Sequence, residues 1–226
     1  MKAIILAGGR GTRLAPLTDK IPKPMALVCG RPILEYTFSI LPNEIDEIVI
    51  ILGWKGEQIK SYFGDKFLDK KISFVVQEKP LGTFNALSYT KDLFYEKEQF
   101  MVVSGDDLYS KDDLYSVCST NSLSVLTAET DAPEKFGICS IDENDQLCEI
   151  VEKPEIFCGN LANIGVYKLD PDIFKENISY GKNGEQYLAP MIGSLARKKE
   201  IKVVRSSFWH PIANLDDLEK AQELVL

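Results

Sequence analysis

Four short apolar runs constrain the fold of this chain more than any other feature of its sequence. The runs are largely continuous and occupy residues 2–6, 46–52, 72–77 and 100–104. Continuous apolar strands are typical of parallel sheets that are covered on both faces. Segments with helical spacing of apolar residues separate these runs. We therefore expect a doubly wound α/β fold whose ligands bind beyond the carboxyl ends of the strands.

The rest of the chain extends this pattern. Helical spacing predicts helices at residues 31–41, 56–63, 83–93, 112–119, 171–178, 185–196 and 215–225. Further strands are predicted at 124–130, 160–169 and 201–204, and a hairpin at 136–152, where two alternating segments flank a polar turn. A chain of 226 residues with 45% hydrophobic content fits one domain. The prediction is a Rossmann-like, doubly wound, mixed and mainly parallel sheet in a single domain, residues 1–226, with a small hairpin insertion.

A glycine-rich loop follows the first apolar run. Residues 6–24 read LAGGRGTRLAPLTDKIPKP, with Gly8, Gly9 and Gly11 set among cationic side chains. Glycines at this density let backbone N–H groups turn toward an anion without interference from Cβ atoms, which is how loops cradle phosphate groups. The spacing matches neither the GxGxxG dinucleotide motif nor the Walker loop. The loop therefore predicts a phosphate site of another kind.

The overall charge of the chain limits its partners. The net charge is −8 and the isoelectric point is about 4.9, so nucleic acid and anionic membranes would be repelled, and the cationic loop is interpreted as a local anion site. The five cysteines have no CxxC spacing and the chain has one histidine, a pattern that gives no support to a zinc site. No leader-like or membrane-spanning apolar segment is recognised, so we expect a cytoplasmic protein.

The segment from Leu6 to Pro24 resembles LxGGxGTRLxPLTxxxPKP, the signature of the sugar-1-phosphate nucleotidylyltransferases, and further similarities extend along nearly the whole chain. The resemblance implies transfer of a nucleoside monophosphate from a nucleoside triphosphate to a sugar-1-phosphate, with release of pyrophosphate. It also implies that Arg13 neutralises the leaving pyrophosphate and that Lys23 holds the α-phosphate. The residues implied to bind the nucleotide are Leu6, Ala7, Gly8, Gly9, Gly11, Thr12, Gln77, Pro80, Gly82 and Thr83.

The fourth apolar run ends in Gly105, Asp106 and Asp107. A carboxylate at the carboxyl end of a central strand is well placed to hold a hard divalent cation against phosphate groups. The Gly-Asp pair resembles the family's GD motif, which implies that Asp106 binds Mg²⁺ as a cofactor and joins Arg13 and Lys23 in the catalytic set. Asp107 either supports the metal-binding carboxylate or is simply an acidic turn residue, and we favour the turn.

Three later segments resemble family segments that bind the acceptor. The triplet Glu152-Lys153-Pro154 matches an EKP motif whose lysine contacts the sugar phosphate, and NLANIGVYKL matches an NxGxY strand that lines the sugar pocket. The third is Glu185, at the start of the predicted helix 185–196. A plain strand with a bulge glycine explains NLANIGVYKL equally well. The residues implied to bind the acceptor are Gly105, Glu152, Lys153, Asn163, Gly165 and Glu185.

The choice of nucleobase rests on Gln77, which the resemblance places at the rim of the nucleobase pocket. A side-chain amide can donate and accept hydrogen bonds at once, which suits the edge of uracil or thymine. We therefore favour UTP or dTTP, and the alternative is a cytidylyl- or guanylyltransferase acting on another phosphorylated acceptor. The expected partners are the triphosphate and the sugar-1-phosphate, without nucleic acid or membrane, and a homo-oligomer is left open.

One segment departs from the family pattern. Relatives commonly read WxDIGTPxDL where this chain reads WHPIANLDDL from Trp209, so Pro211 stands at the position of a second metal-binding aspartate. Proline offers no ligand atom, and His210, Asn214 and Asp216 are the nearby side chains that could approach the position. The departure opens a second hypothesis, a regulatory homologue that binds nucleotide sugars without turnover. Some relatives continue into a carboxyl-terminal β-helix, which we do not expect here.

Overall fold

The strands and helices follow the order expected from the sequence. The computed structural model describes residues 1–181 and 184–224. The strands in this part of the chain are β1 (Lys2–Ala7), β2 (Leu27–Val28), β3 (Arg31–Pro32), β4 (Glu47–Leu52), β5 (Lys66–Phe67), β6 (Lys70–Val76), β7 (Phe100–Ser104), β8 (Leu108–Tyr109), β9 (Leu123–Glu129), β10 (Gly137–Ile141), β11 (Leu147–Glu152), β12 (Leu161–Leu169), β13 (Ile201–Arg205) and β14 (Trp209–His210). The helices are α1 (Ile33–Ser39), α2 (Gly56–Phe63), α3 (Thr83–Ser88), α4 (Lys111–Ser119), α5 (Leu188–Ala196) and α6 (Leu215–Leu224).

Parallel pairing organises the amino-terminal half of the main sheet. Its strand order is β11-β10-β12-β7-β1-β4-β6-β5, with β9 and β13 joined through β12. Strand β1 lies parallel to both β4 and β7, and β6 is parallel to β4. Strand β12 runs antiparallel to β7, and the predicted hairpin is formed by β10 and β11 beyond it. The mixed α/β fold with a hairpin insertion is confirmed.

The strands are buried on both faces, which explains their continuous apolar sequences. Neighbouring residues of β1 enter different cores: Ile5 packs with Leu34 of α1 on one face, and Ile4 packs with Leu87 of α3 and other residues on the opposite face. All four side chains are fully buried. Successive side chains of a strand point to opposite faces of the sheet, and helices cover both faces here. Consecutive positions of the strand must therefore be apolar.

The helices differ from the expected ones mainly at their ends. Arg31 and Pro32 pair with β2 as β3, so the first helix begins at Ile33 and not at residue 31. The predicted helix at 83–93 divides into α3 and a 3-10 turn, and the one at 171–178 is a 3-10 turn at Pro171–Lys175. Apolar spacing predicts which side chains are buried, but it does not show where backbone groups find other partners.

The start of α5 is an example of backbone groups that bond outside the predicted helix. The predicted helix at 185–196 begins at Leu188 instead. The Gln186 N–H donates to the Leu81 carbonyl at 2.7 Å, and the Gln186 carbonyl accepts from the Phe84 N–H at 2.8 Å. These two bonds hold Gln186 in an extended pairing, so the helix can begin only after it.

The predicted last residue of the final helix, Val225, lies outside the described residues. None of the described helices has the length and apolar character needed to cross a membrane.

Candidate active site

The glycine-rich loop after β1 is folded against the loop that follows β4. The Gly8 carbonyl oxygen accepts a hydrogen bond from the Trp54 backbone N–H at 3.3 Å. A Cβ atom on Gly53 would lie 2.8 Å from Gly8 Cα, so only glycine lets these two backbones approach. A Cβ atom on Gly9 would meet nothing within 4 Å. The loop is therefore held on one side by backbone packing and is open at Gly9.

We expect Gly53→Ala to lower the free energy of unfolding by about 1–3 kcal/mol. The added methyl group would collide with backbone atoms of Gly8, which cannot rotate away as a side chain could. Gly9→Ala is the matched control, because it adds the same atom to the facing glycine-rich loop at a position where it meets nothing within 4 Å. Urea unfolding measures both variants, and equal midpoints would show that the loop does not depend on the Gly53 contact.

A cleft of about 170 Å³ opens beside this loop, and we call it the loop cleft. Its charged side chains are Arg13, Lys23 and Asp106. The structure thus brings together all three residues of the predicted catalytic set. The other lining residues are Leu6, Ala7, Gly9, Gly11, Leu14, Pro24 and Ala213.

Lys23 is buried between the glycine-rich loop and the end of β7. Its Nζ atom donates to Asp106 Oδ2 at 2.7 Å and lies 3.6 Å from Asp107 Oδ1. Burial lowers the pKa of Lys23, but the two carboxylates outweigh burial and hold this pKa above its ordinary value. Lys23 therefore carries its positive charge at neutral pH, in a cleft where a phosphate group could replace a carboxylate as its partner.

Asp107 joins the segment around β14 to the end of β7. Its carboxylate accepts hydrogen bonds from Trp209 Nε1 and from the Ile212 backbone N–H, both at 3.1 Å. Burial, together with the neighbouring charge of Asp106, raises the pKa of Asp107 to about 6. The turn-residue interpretation of Asp107 is therefore incomplete. Trp209 is 102 residues away along the chain, so no local pattern indicated this contact.

Asp106 offers the carboxylate that a divalent cation would need. Its side chain is 37% exposed, and one of its oxygens faces Lys23. Within residues 1–181 and 184–224, no three His, Cys, Asp or Glu side chains are grouped so that they could hold a metal ion. Mg²⁺ commonly takes one or two protein carboxylates and completes its coordination with substrate phosphates and water. The residues therefore fit a cation that is shared with a bound nucleotide.

Two side chains near Pro211 are engaged in other contacts. His210 Nε2 lies 2.8 Å from the Asp217 carbonyl oxygen. Asn214 Oδ1 accepts from the Asp217 N–H at 3.0 Å, and Asp217 Oδ2 accepts from the Asn214 N–H at 3.2 Å. This reciprocal pair is a capping box at the start of α6. His210 and Asn214 are thus committed to holding α6 and do not stand in for an aspartate at residue 211.

We expect Asn214→Ala to lower the free energy of unfolding by about 1 kcal/mol, because the Asp217 N–H would lose its cap. Asp216→Ala is the control, since Asp216 is exposed in the same helical turn. Thermal unfolding followed by circular dichroism measures the difference. If the two variants melt at the same temperature, the cap does not stabilise this end of the chain.

A second cleft, of about 310 Å³, lies along β12 and shares Arg13 with the loop cleft, and we call it the β12 cleft. The predicted site residues that line it are Arg13, Thr83, Glu152, Lys153, Asn163 and Gly165. Sequence reasoning did not assign the remaining lining residues to the site, although Tyr167 belongs to the NxGxY segment and Trp209 begins the WHPIANLDDL segment. They are Ser104, Asp107, Lys135, Phe136, Gly137, Ile164, Tyr167, Tyr187, Ala189 and Trp209.

Lys153 has an unusual backbone conformation at this cleft. Its φ angle is 47°, and its N–H donates to the Phe136 carbonyl at 2.9 Å. Its Nζ atom lies 4.8 Å from the centre of the Tyr187 ring and 3.6 Å from Glu152 Oε1. Burial raises the pKa of Glu152, and the charge of Lys153 opposes this rise. Left-handed backbone at a lysine is costly, and Lys55 and Lys97 also adopt it outside the two clefts, so the side-chain contacts and not the φ angle connect Lys153 with the cleft.

The NxGxY segment forms a bulge in β12. Gly165 has a φ angle of 80°, and its N–H donates to Asn163 Oδ1 at 3.1 Å. The pairing of β12 with β9 shifts register between Asn163 and Tyr167. A Cβ atom on Gly165 would lie 2.9 Å from Ser104 Cβ. The bulge-glycine interpretation therefore holds, and the same two residues also line the β12 cleft.

Other predicted residues lie outside the linings of these two clefts. Gly105 serves packing, because a Cβ atom there would lie 2.9 Å from Ile5 Cγ2. Glu185 accepts a hydrogen bond from the Tyr187 hydroxyl group. The predicted site residues that neither lining includes, as far as the structure describes them, are Gly8, Thr12, Gln77, Pro80, Gly82, Gly105 and Glu185.

The chain is similar to known proteins over nearly all of its length. A family model described as nucleotidyl transferase matches residues 2–226. The bifunctional protein GlmU of Methanococcus vannielii is 33% identical over 235 residues, which cover 100% of this chain and 55% of that protein. A bifunctional sugar-1-phosphate nucleotidylyltransferase/acetyltransferase of Sulfurisphaera tokodaii is 31% identical over 229 residues, covering 97% of this chain and 55% of that protein.

The chain thus spans about half the length of these two curated relatives. Among solved structures, a UDP-glucose pyrophosphorylase complexed with UDP-glucose shares the fold with a TM-score of 0.87 at 24% identity. That match covers 99% of this chain and 97% of the other.

Proposed function

The chain belongs to the nucleotidyl transferase family, and from this premise we propose that it transfers a nucleoside monophosphate from a nucleoside triphosphate to a sugar-1-phosphate. The products are a nucleotide sugar and pyrophosphate. The observation that carries the proposal is that Arg13 lines both the loop cleft and the β12 cleft. A guanidinium shared by two clefts suits a reaction between two phosphate-bearing substrates, because each substrate can occupy its own cleft and meet the other at this charge.

The proposed chemistry is an in-line substitution at the α-phosphorus. An oxygen of the acceptor phosphate forms the new P–O bond, and the bond to the β-phosphate breaks, with its electron pair leaving on pyrophosphate. The attacking phosphate is already an anion, so a general base is not required. The main barrier is the repulsion between two polyanions and the charge that builds up on the leaving group.

In the proposed reaction, cationic side chains of the two clefts lower this barrier by neutralising the phosphate charges. In this proposal Lys23 holds the α-phosphate, Arg13 neutralises the leaving pyrophosphate, and Lys153 anchors the acceptor phosphate. Asp106 would hold Mg²⁺, which when bound neutralises charge on the nucleotide oxygens. The ion pair between Lys23 and Asp106 keeps the buried ammonium in place until the nucleotide arrives.

The proposed nucleotide is UTP or dTTP, on the strength of the amide of Gln77 at the carboxyl end of β6. The remaining nucleotide residues of the proposal are the glycine-rich loop from Leu6 to Thr12 and the segment from Pro80 to Thr83. The acceptor side comprises Glu152, Lys153, Asn163 and Gly165, which line the β12 cleft, together with Gly105 and Glu185, which lie outside its lining. A phosphorylated acceptor other than a sugar is the alternative for this side.

The test is a matrix of pyrophosphate-release assays. Purified protein is incubated with Mg²⁺, each of the common nucleoside triphosphates and a panel of sugar-1-phosphates and other phosphomonoesters. We expect pyrophosphate release that requires both a triphosphate and an acceptor, highest with UTP or dTTP. Replacing Mg²⁺ with excess chelator should abolish the signal. Release without any acceptor would indicate hydrolysis and would contradict the proposed transfer.

Pro211 favours one further candidate function, a regulatory homologue that binds nucleotide sugars without turnover. Its position matches that of a metal-binding aspartate in the family pattern, and the neighbouring side chains of His210 and Asn214 are committed elsewhere. The same assay matrix separates the two candidates when it is combined with calorimetry. Binding of a nucleotide sugar without pyrophosphate release in any combination would favour the regulatory role.

A further inference from the structure

The side chain of Gln77 is held in one orientation by its neighbours. Gln77 follows β6 and is only 8% exposed. Its Nε2 atom lies 3.1 Å from Asn85 Oδ1 and 3.5 Å from the Gly82 carbonyl oxygen. A backbone carbonyl can only accept, so it requires the NH₂ group of Gln77, and not its oxygen, on this side. Both hydrogens of the amide are thereby directed away from the glycine-rich loop.

The oxygen of the same amide faces the glycine-rich loop. A Cβ atom on Gly8 would lie 2.9 Å from Gln77 Oε1, so this approach depends on glycine. No hydrogen bond to Oε1 is found from the residues that the structure describes, and the atom is not among the fully buried polar atoms without a partner. Gln77 therefore presents a single acceptor beside the loop and keeps its donors engaged.

We propose that Asn85 is a specificity-determining positioning residue: it fixes the amide of Gln77 so that the nucleotide site offers an acceptor to the base and selects pyrimidines with an N3–H group. This inference rests on the proposed function and deepens it. It also refines the reasoning from sequence, in which the free amide could donate and accept at once. Asn85 itself makes no contact with the base in this proposal and acts through Gln77.

The chemistry of the pyrimidine edges gives the direction of the selection. Uracil and thymine carry one donor, N3–H, between two carbonyl acceptors, whereas cytosine carries an acceptor at N3 and a donor, N4–H₂, beside it. The proposed selection therefore requires a base position in which Gln77 Oε1 faces N3. An amide that is free to rotate can present either its oxygen or its NH₂ group and so suits both kinds of edge. An amide whose NH₂ group is engaged suits N3–H and leaves N3 of cytosine without a donor. An unpaired buried acceptor is costly, so UTP and dTTP are favoured over CTP.

The experiment compares the ratio of kcat/KM for UTP to kcat/KM for CTP, using the acceptor that gives the highest rate. For the protein as it stands we expect a ratio of at least about tenfold. Asn85→Ala and Asn85→Leu release the Gln77 amide and should lower this ratio about tenfold. Asn85→Asp keeps an acceptor at the same place and should preserve the ratio. Ser88→Ala is the control on α3, because among the described residues its hydroxyl bonds only to the Asn85 backbone carbonyl.

The ratio distinguishes a positioning role from a merely structural one, since general destabilisation of α3 would lower the rates for both nucleotides together. The inference is overturned if the unmodified protein uses CTP as well as UTP, or if both Asn85→Ala and Asn85→Leu keep its ratio. Calorimetric binding of UTP and CTP without acceptor provides a second arm. If no pyrophosphate is released by any combination, the proposed reaction fails, and the binding ratios of the same variants still decide the role of Asn85.

Discussion

Arg13→Gln should lower kcat/KM for pyrophosphate release about 100- to 1000-fold, the loss expected when one preorganised charge that stabilises the transition state is removed. Arg13 is the residue that the loop cleft and the β12 cleft share, so its charge acts where the two substrates meet. Glutamine keeps much of the side-chain length and removes the charge. The loss should appear in kcat more than in KM, because the leaving group gains charge only as the reaction proceeds.

Arg10→Gln is the matched control for this prediction. Arg10 lies three residues earlier in the same glycine-rich loop, but its guanidinium stacks over the Trp54 ring, 4.6 Å from the ring centre, and is not part of either cleft lining. We expect its kcat/KM to stay within about threefold of the unmodified value. Equal losses in the two variants would mean that the loop needs its net charge and that Arg13 has no special position.

Lys23→Met should affect both activity and stability. For activity we expect a loss of about 100- to 1000-fold, because the α-phosphate would lose its buried ammonium partner. For stability we expect a decrease of about 2 kcal/mol in the free energy of unfolding. Removing one partner of a fully buried ion pair costs about 3–5 kcal/mol, and Asp106 is partly exposed to water, which reduces this penalty.

Lys20→Met is the control, since Lys20 is exposed in the same loop and makes no ion pair among the described residues. Pyrophosphate release and urea unfolding are measured on both variants at pH 7. In Lys23→Met, the side chain of Asp106 would face Asp107 without a cation between them. If Lys23→Met retains full turnover, Lys23 is a structural lysine that only neutralises the two carboxylates.

Arg13→Gln, by contrast, should leave the unfolding midpoint nearly unchanged, because Arg13 is exposed.

Local patterns in the chain were enough to predict the buried strands and the position of the glycine-rich loop. The expected strand at 100–104 and the expected helix at 56–63 coincide with β7 and α2, because continuous burial and helical spacing are local properties of a chain. The signature segment likewise identified Arg13 and Lys23, and the Gly-Asp pair after the fourth apolar run identified Asp106. All three residues line the loop cleft. Parallel strands bring their carboxyl ends to one edge, so a loop after β1 and an aspartate after β7 must be neighbours once β1 and β7 pair.

Which distant residues support those groups depends on how separate elements pack together. Asp107 and Trp209 are 102 residues apart, and their hydrogen bond follows from the docking of the segment around β14 onto the end of β7. The sequence does not indicate the orientation of the Gln77 side-chain amide. In the fold, α3 places Asn85 beside this amide, and the hydrogen bond between the two side chains sets its orientation. Local patterns specify periodicity, turns and burial, whereas the orientation of a polar side chain depends on partners that come within reach only when separate elements pack together.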